Sequence, residues 1–274
     1  MDDDALMRLR SLSWDSPHEE RRRAIAAGER EVPEALAAGQ WDAVVDLASA
    51  LADAYLDLDG DADEITRRRE WSAVALDAAR ALEGEDGGLA TIAALERLGR
   101  ASLPLDHTGA DEARALFVAA LEMAERLHGD DAPELFDLLL LVAESMTGSA
   151  SDEAIEHARR ALSVAERHDL DPTAALVELA TALLDAGRAH DAIAHAERAM
   201  RGADDTARAV HMIPQLLAIA YEDVGRTDDA LHMREEHVRL ADDDDEREIA
   251  RGFLMESLVR AGREPRSASR SKLD

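Results

Sequence analysis

The sequence predicts an all-α solenoid of antiparallel helix pairs, about five repeats long and closed by a C-terminal capping helix. Three observations predict it. Apolar residues recur at three-four spacing along nearly the whole chain, which is the period of helix after helix. Gly, Asp and Pro interrupt that pattern at short intervals, so neighbouring helices join through tight turns and run antiparallel. The interruptions themselves recur: Gly187, Gly225 and Gly262 are nearly evenly spaced, and each stands where one helix ends and the next begins.

Composition agrees. Hydrophobic residues make up 46% of the 274 positions but aromatics only 3%, so Ala and Leu carry most of the packing. Those two lead the helix-propensity ranking, with Arg and Glu close behind, and a compact β fold would want more β-branched and aromatic residues. The formal net charge is −29, and Lys272 is the only lysine among 31 basic residues. Asn and Cys do not occur. A GC-rich genome accounts for the loss of lysine and asparagine, since both use AT-rich codons. A salt-adapted prokaryotic cytoplasm accounts equally for the acidic excess.

The charge argues against nucleic acid as a partner, because phosphate recognition needs a basic stripe. The absence of cysteine excludes disulfides and thiolate metal sites. The acidic opening, MDDDALMRLR, has no signal-peptide apolar run. The densest apolar stretch, Leu138 to Ala143, falls far short of the ~20 residues that span a bilayer. The expected location is cytoplasmic, with no membrane partner.

Read in order, residues 1–15 form a disordered acidic N-terminus. Ser16-Pro17-His18-Glu19 has the pattern of a capping box with proline at the first helical position. Further helices fall at about 41–58, 63–84, 89–103, 110–128, 132–147, 151–168, 172–187, 189–201, 205–225, 227–241 and 245–261. Residues 16–88 form divergent N-terminal helices packed on the array, 89–262 the repeats with their capping helix, and 263–274 a disordered basic tail without an apolar face. Within 16–88, Trp41-x2-Val44-Val45-x2-Ala48 opens the first helix of a pair with 63–84 as its partner. The competing reading makes Gly39-Gln40-Trp41 a turn into a second helix.

The repeats carry a resemblance. Leu95-x2-Leu98-Gly99-x2-Ser102 is followed by Ala113-x3-Phe117-x2-Ala120. Leu138-x2-Leu141-Val142-x2-Ser145 precedes Ala154-x3-Ala158-x2-Ala161, and Leu176-x2-Leu179-Ala180-x2-Leu183 precedes Ala192-x3-Ala196-x2-Ala199. Pro214-x2-Leu217-Ala218-x2-Tyr221 leads to Ala230-x3-Arg234-x2-His237, and Arg251-x2-Leu254-Met255-x2-Leu258 has no second helix after it. As a set these resemble tetratricopeptide repeats, whose pattern is W-x2-L-G-x2-Y and then A-x3-F-x2-A. The longer period and the stretch Leu127 to Pro133 resemble the kinesin-light-chain-like subgroup. The resemblance implies a right-handed superhelix whose last, unpaired helix serves as a cap.

It also implies that the first helices of successive pairs line a concave groove for a protein or peptide. In this register the groove positions are Arg97, Arg100, Phe136, Leu139, Leu140, Met146, Val177, Leu184, Met212, Gln215, Leu216, Ile219 and Phe253, with Glu96 beside the two arginines. So apolar a set fits an amphipathic helix. The same residues read equally well as the core of a tight superhelix. Arg97 and Arg100 are placed to hold an acidic group, although pairing with local carboxylates is the stronger account. Some proteins of this family clamp chaperone tails with Lys and Asn, which this chain does not offer.

Chemistry-bearing patterns are weak. Asp59, Asp61, Asp63 and Glu70 have EF-hand-like spacing, but Glu64 replaces the turn glycine and Arg67 to Arg69 crowd the far half, so an acidic helix start explains them better. His190 and His195 are five apart, as are His232 and His237, whereas zinc ligation from one helix favours three or four. No nucleophile elbow, Walker loop or dinucleotide fingerprint occurs. The expected function is a non-enzymatic scaffold or adaptor without metal or cofactor, with self-association open. Two alternatives stand behind it: a regulatory or sensor module acting with a separate effector protein, and, less favoured, a helical metal-dependent enzyme.

Overall fold

The computed structural model describes residues 3–13, 16–56, 62–103, 107–148, 152–210, 212–241 and 243–263. They form an all-α, helix-pair repeat architecture, as predicted, and no strand occurs among the described residues. The chain divides into two compact units, Met1–Ser145 and Met146–Asp274.

The first unit contains α1 (Asp3–Arg10), α2 (His18–Ala37), α3 (Trp41–Leu56), α4 (Ala62–Arg80), α5 (Gly84–Ser102), α6 (His107–His128) and α7 (Phe136–Glu144), the last entered through a 3-10 turn at Pro133–Leu135. Each helix packs on the next, and α3 packs on α4 most extensively. Its core gathers Leu9, Ile25, Val32, Val44, Leu47 and Leu51, with Trp71 and Tyr55 packed against it. Burying a leucine such as Leu47 or Leu51 contributes about 2 kcal/mol each.

Three features of this unit differ from the sequence reading. Residues 3–10, inside the stretch expected to be disordered, form a helix, and Ala5 and Leu9 are buried. Leu9 lies four residues after Ala5, so one face of the helix reaches the core, with Leu6 packed beside it. The capping box does not form. Pro17 is the N-cap residue and makes no side-chain cap bond, while Ser16 Oγ instead accepts from the Ser13 amide at 2.9 Å. The expected boundary at residue 88 falls inside α5, which packs directly against α4.

The two readings of α3 separate here. The turn at Gly39 (φ 67°) closes with the Gln40 amide on the Ala35 carbonyl at 3.0 Å. Gly187 and Gly225 close in the same way, with the Arg188 amide on Leu183 and the Arg226 amide on Tyr221, both at 2.8 Å. Asp169 (φ 55°) closes a turn of this kind between α8 and α9. The turn type therefore does not fix the pairing. Packing does: α3 touches α1 as well as its chain neighbours, as α12 touches α9. That is the contact between first helices of successive pairs, so α3 opens the pair α3–α4.

The second unit contains α8 (Asp152–Arg167), α9 (Thr173–Asp185), α10 (Ala189–Gly202), α11 (Asp205–Val210), α12 (Ile213–Asp223), α13 (Thr227–Leu240) and α14 (Asp244–Arg260). The pairs α9–α10 and α12–α13 follow the predicted register, and α14 packs on α13. Ala154, Ala192 and Ala230, the small residues that open second helices, are all buried. A larger side chain there would force the helices apart.

The helix expected over 205–225 is two helices. Pro214 has no N–H to give, and its ring clashes with the carbonyl four residues back, which is that of Val210, the last residue of α11. The chain breaks there, and Met212 takes the left-handed conformation at φ 47° before α12 begins. The proposed basic tail lies outside the described residues from position 264 onward. Asp59 and Asp61 of the acidic run also lie outside them, whereas Asp63 and Glu64 stand in the first turn of α4, where negative charge favours the helix dipole.

Candidate functional site

The first helices of the pairs are α3, α5, α7, α9 and α12, with α1 and α14 in equivalent positions. In the first unit, α1, α3 and α5 border an open cavity of about 430 Å3, lined by Leu9, Arg10, Val45, Asp46, Ser49, Asp53, Ala90, Ala93 and Arg97 among others. Two ion pairs cross it. Arg10 Nη2 donates to Asp46 Oδ1 at 2.7 Å, and Arg97 Nε donates to Asp53 Oδ1 at 3.1 Å. Arg100 donates to Glu96 at 3.0 Å. Both predicted anion-holding arginines are thus paired with local carboxylates, and this face is polar.

Further along this unit, the predicted groove residues divide. Phe136 and Leu140 are half-buried. Leu139 is fully buried, which corrects its placement on the groove. The cause is α7 itself, which buries Leu138, Leu139, Leu141, Val142 and Ala143, so its apolar character wraps most of the helix.

In the second unit, Met146 is buried and is also a correction. The α7 helix ends at Glu144, so the helical register that placed Met146 on a groove does not extend to it. Val177 and Leu184 on α9 are half-buried. Met212, the N-cap residue of α12, and Ile219 on the helix are exposed, with Gln215 and Leu216 half-buried between them. Gln215, Leu216 and Ile219 share one face of α12 by their spacing, while Met212 stands just before the helix. Gln215 Oε1 is buried without a hydrogen-bond partner. Phe253 is occupied from within: its ring stacks on His237 with centroids 6.5 Å apart, and the Arg234 guanidinium lies over the same ring at 5.4 Å from its centroid.

Sequence reasoning missed the cluster that holds Phe253. Arg234 and His237 stand where the repeat pattern has Phe and Ala, yet each is only 5% exposed. Glu222 on α12 gathers the charge. It accepts from Ser257 Oγ at 2.6 Å, from Arg260 Nη1 at 2.9 Å and from Arg234 Nη2 at 3.3 Å. Burial pushes the His237 imidazole below its usual range; the Arg234 guanidinium adds to this and Glu246 opposes it. The signal was present: an Arg and a His at positions reserved for apolar side chains require partners nearby. The cluster joins α12, α13 and α14 and reads as packing that replaces the missing apolar bulk.

Among the described residues no group of three or more His, Asp or Glu is placed to hold a metal ion. No described helix is long and apolar enough to cross a membrane.

No protein-family model matches the chain, and no curated protein sequence does. Solved structures match it in fold. BtubC (BKLC) from P. vanneervenii aligns with a TM-score of 0.62 at 17% identity, over 89% of this chain and 94% of that one. A Podosopora anserina chain assigned as a kinesin light chain, with nearly identical TPR-like repeats, aligns at TM-score 0.56 and 14% identity, over 82% and 98%. A signal transduction ATPase with numerous domains and a tetratricopeptide repeat sensor, from Pyrococcus horikoshii, aligns at TM-score 0.61 and 14% identity, over 90% of this chain and 41% of that one. At these identities the likeness is one of tetratricopeptide-like architecture.

Proposed function

We propose that the chain is a protein-binding module, an adaptor that receives an amphipathic helix or apolar peptide on the stripe Met212, Gln215, Leu216 and Ile219 of its second unit. The carrying observation is that Ile219 on this first-helix face and Met212 at its N-cap are exposed at 39% and 42%. Large apolar side chains in such a row favour an apolar partner over water. Val177 and Leu184 on α9 extend the same class of face.

The polar cavity of the first unit belongs to a different chemistry. Its arginines already hold Asp46 and Asp53, so a ligand there must compete with two ion pairs. The apolar stripe is the stronger site.

The test is a library of displayed amphipathic helices selected on the intact chain, followed by titration. Leu216→Glu and Ile219→Glu are expected to weaken the selected peptide at least about tenfold, or ~1.4 kcal/mol, with unchanged helix content and melting. Equal affinity for wild type and both variants would refute the stripe as the site.

A second reading has one observation in its favour. The architecture aligns over 90% of this chain with the ATPase that carries a repeat sensor, which supports a regulatory or sensor module working with a separate effector. The peptide experiment serves both, because each needs a ligand on the repeat face.

A further inference from the structure

The last described helix, α14, exposes large apolar side chains among its charged ones. Ile249 is 60% exposed, Met255 43% and Val259 70%. With exposed Gly252 between them these residues fall at i, i+3, i+6 and i+10, a single stripe down the helix. Leu254 and Leu258 beside the stripe are only half-buried. The repeat register shows why. Their equivalents in α9, Leu179 and Leu183, are fully buried where α10 packs on α9, and no second helix follows α14 among the described residues.

We propose that a second copy of this chain covers this face, α14 packing antiparallel on α14 about a two-fold axis at Gly252. Three features favour that occupant. Ile249 and Met255 lie three residues to either side of Gly252, so the antiparallel pairing brings Ile249 of one copy level with Met255 of the other, with Val259 beyond this symmetric pair. Gly252 has open space where a Cβ would stand, and a glycine at the crossing point lets two helix backbones approach closely. The charges also complement end for end. The first turn carries Asp244, Asp245 and Glu246, and the far end carries Arg260 and Arg263, which within one copy pair with Glu222, Glu256 and Asp228 and would be shared with the partner's acidic end. An antiparallel partner places each acidic end beside a basic one, and opposes the two helix dipoles favourably.

The surface also sets the strength. One helix pair of this length buries on the order of 1,000 Å2, the lower end of specific interfaces. Each copy also carries a net charge of −29, so the bodies repel until salt screens them. Association in the micromolar range, strengthened by added salt, is the expected behaviour. This inference is independent of the peptide stripe on α12.

The chain contains no cysteine, which makes a direct test available. Gly252→Cys places a single thiol at the proposed axis of the full-length chain, with room for it in the monomer. Mild oxidation should convert it almost completely to a disulfide-linked species of twice the 29.8 kDa chain mass, because a two-fold brings the two sulfurs together. Met7→Cys, also at an exposed position, on α1, should stay largely monomeric. In sedimentation, wild type should shift from monomer to dimer with concentration and salt, and Ile249→Glu/Val259→Glu should remain monomeric while melting as wild type does. A wild type that stays monomeric at all concentrations and salt levels overturns the proposal. So does a dimer unaffected by these changes, or cross-linking no faster at position 252 than at position 7. Should the Glu variant fold poorly, Gly252→Arg blocks the axis at a site that touches nothing in the monomer, and a persistent dimer in that variant is equally fatal.

Discussion

Tyr55 on α3 donates its phenol hydrogen to Glu29 Oε1 on α2 at 2.9 Å, and Tyr221 on α12 repeats the arrangement with Glu197 of α10 at 2.8 Å. In both units the tyrosine belongs to the first helix of a pair and the glutamate to the second helix of the preceding one. The bond therefore marks equivalent places in the repeat, and it aligns α2 and α3 with α10 and α12 where the sequence pattern is weakest.

Burial, and after it the neighbouring carboxylate, pushes both phenols up to about 12. A folded-state value above the unfolded one means that the neutral phenol is favoured by folding. The contribution is complete below the ordinary value of about 10 and is lost as pH rises through 12. These are the only two tyrosines in the chain, so an absorbance titration of phenolate reports them alone. It should show both ionising well above free tyrosine, and thermal stability should fall over the same interval. Tyr55→Phe and Tyr221→Phe should each cost about 1 kcal/mol at neutral pH and flatten that alkaline fall. Ordinary tyrosine titration in the folded protein would contradict this.

Gly99 on α5 occupies the glycine position of the repeat pattern, and the space shows why. A Cβ there would lie 2.5 Å from Phe117 Cε1 and 2.9 Å from Cδ1, and Phe117 is only 1% exposed on α6. Neither the ring nor the helix pair can yield cheaply. Gly99→Ala should destabilise the first unit by about 1–3 kcal/mol, the cost of overpacking, despite alanine's better helix propensity. Phe117→Leu in the same chain should recover part of the loss. Denaturant melts of the two single variants and the double variant measure the coupling.

Much of the fold was legible because one physical signal repeats. The glycines that end helices and the alanines that open second helices are set by backbone conformation and by the closeness of helix pairs, and both leave marks at fixed spacing. The break at Met212 was legible in principle, since Pro214 forbids the bond that a continuous helix would need. The groove was read less well. Leu139 and Leu140 are neighbours in sequence with the same chemistry, and only packing around α7 separates the buried one from the half-buried one. The cluster at Glu222 was missed because it spans three helices, and periodicity within one helix does not report contacts between helices.

His237 makes the second unit sensitive to acid. Burial lowers its affinity for a proton in the folded state, the Arg234 charge adds to this, and Glu246 offsets part of it. His195 on α10 is lowered in the same direction by burial and by Arg159 and Arg198. The unfolded chain then binds protons more readily, so stability is unaffected above the ordinary histidine value, about 6.5, and is lost as pH falls through it. Melting temperature should drop between neutral pH and mild acid, and His237→Leu should reduce that slope while His195 retains the remainder. A slope identical to wild type would show that His237 is not the group responsible.

Leu139 and Leu140 offer the sharpest separation of core from face. Leu139 has no exposed surface, so Leu139→Glu buries a carboxylate among Leu138, Val142 and Ala143 with no partner, which costs several kcal/mol and raises the pKa of the new acid. Leu140 is half-buried, and a glutamate there can turn its charge to water along its own methylenes. Leu139→Glu should unfold the first unit or leave it melting far below wild type, whereas Leu140→Glu should cost about 1 kcal/mol. If both variants unfold alike, position 140 belongs to the core and α7 presents no ligand face. A folded Leu140→Glu that alters binding of a selected peptide would extend the binding surface to the first unit.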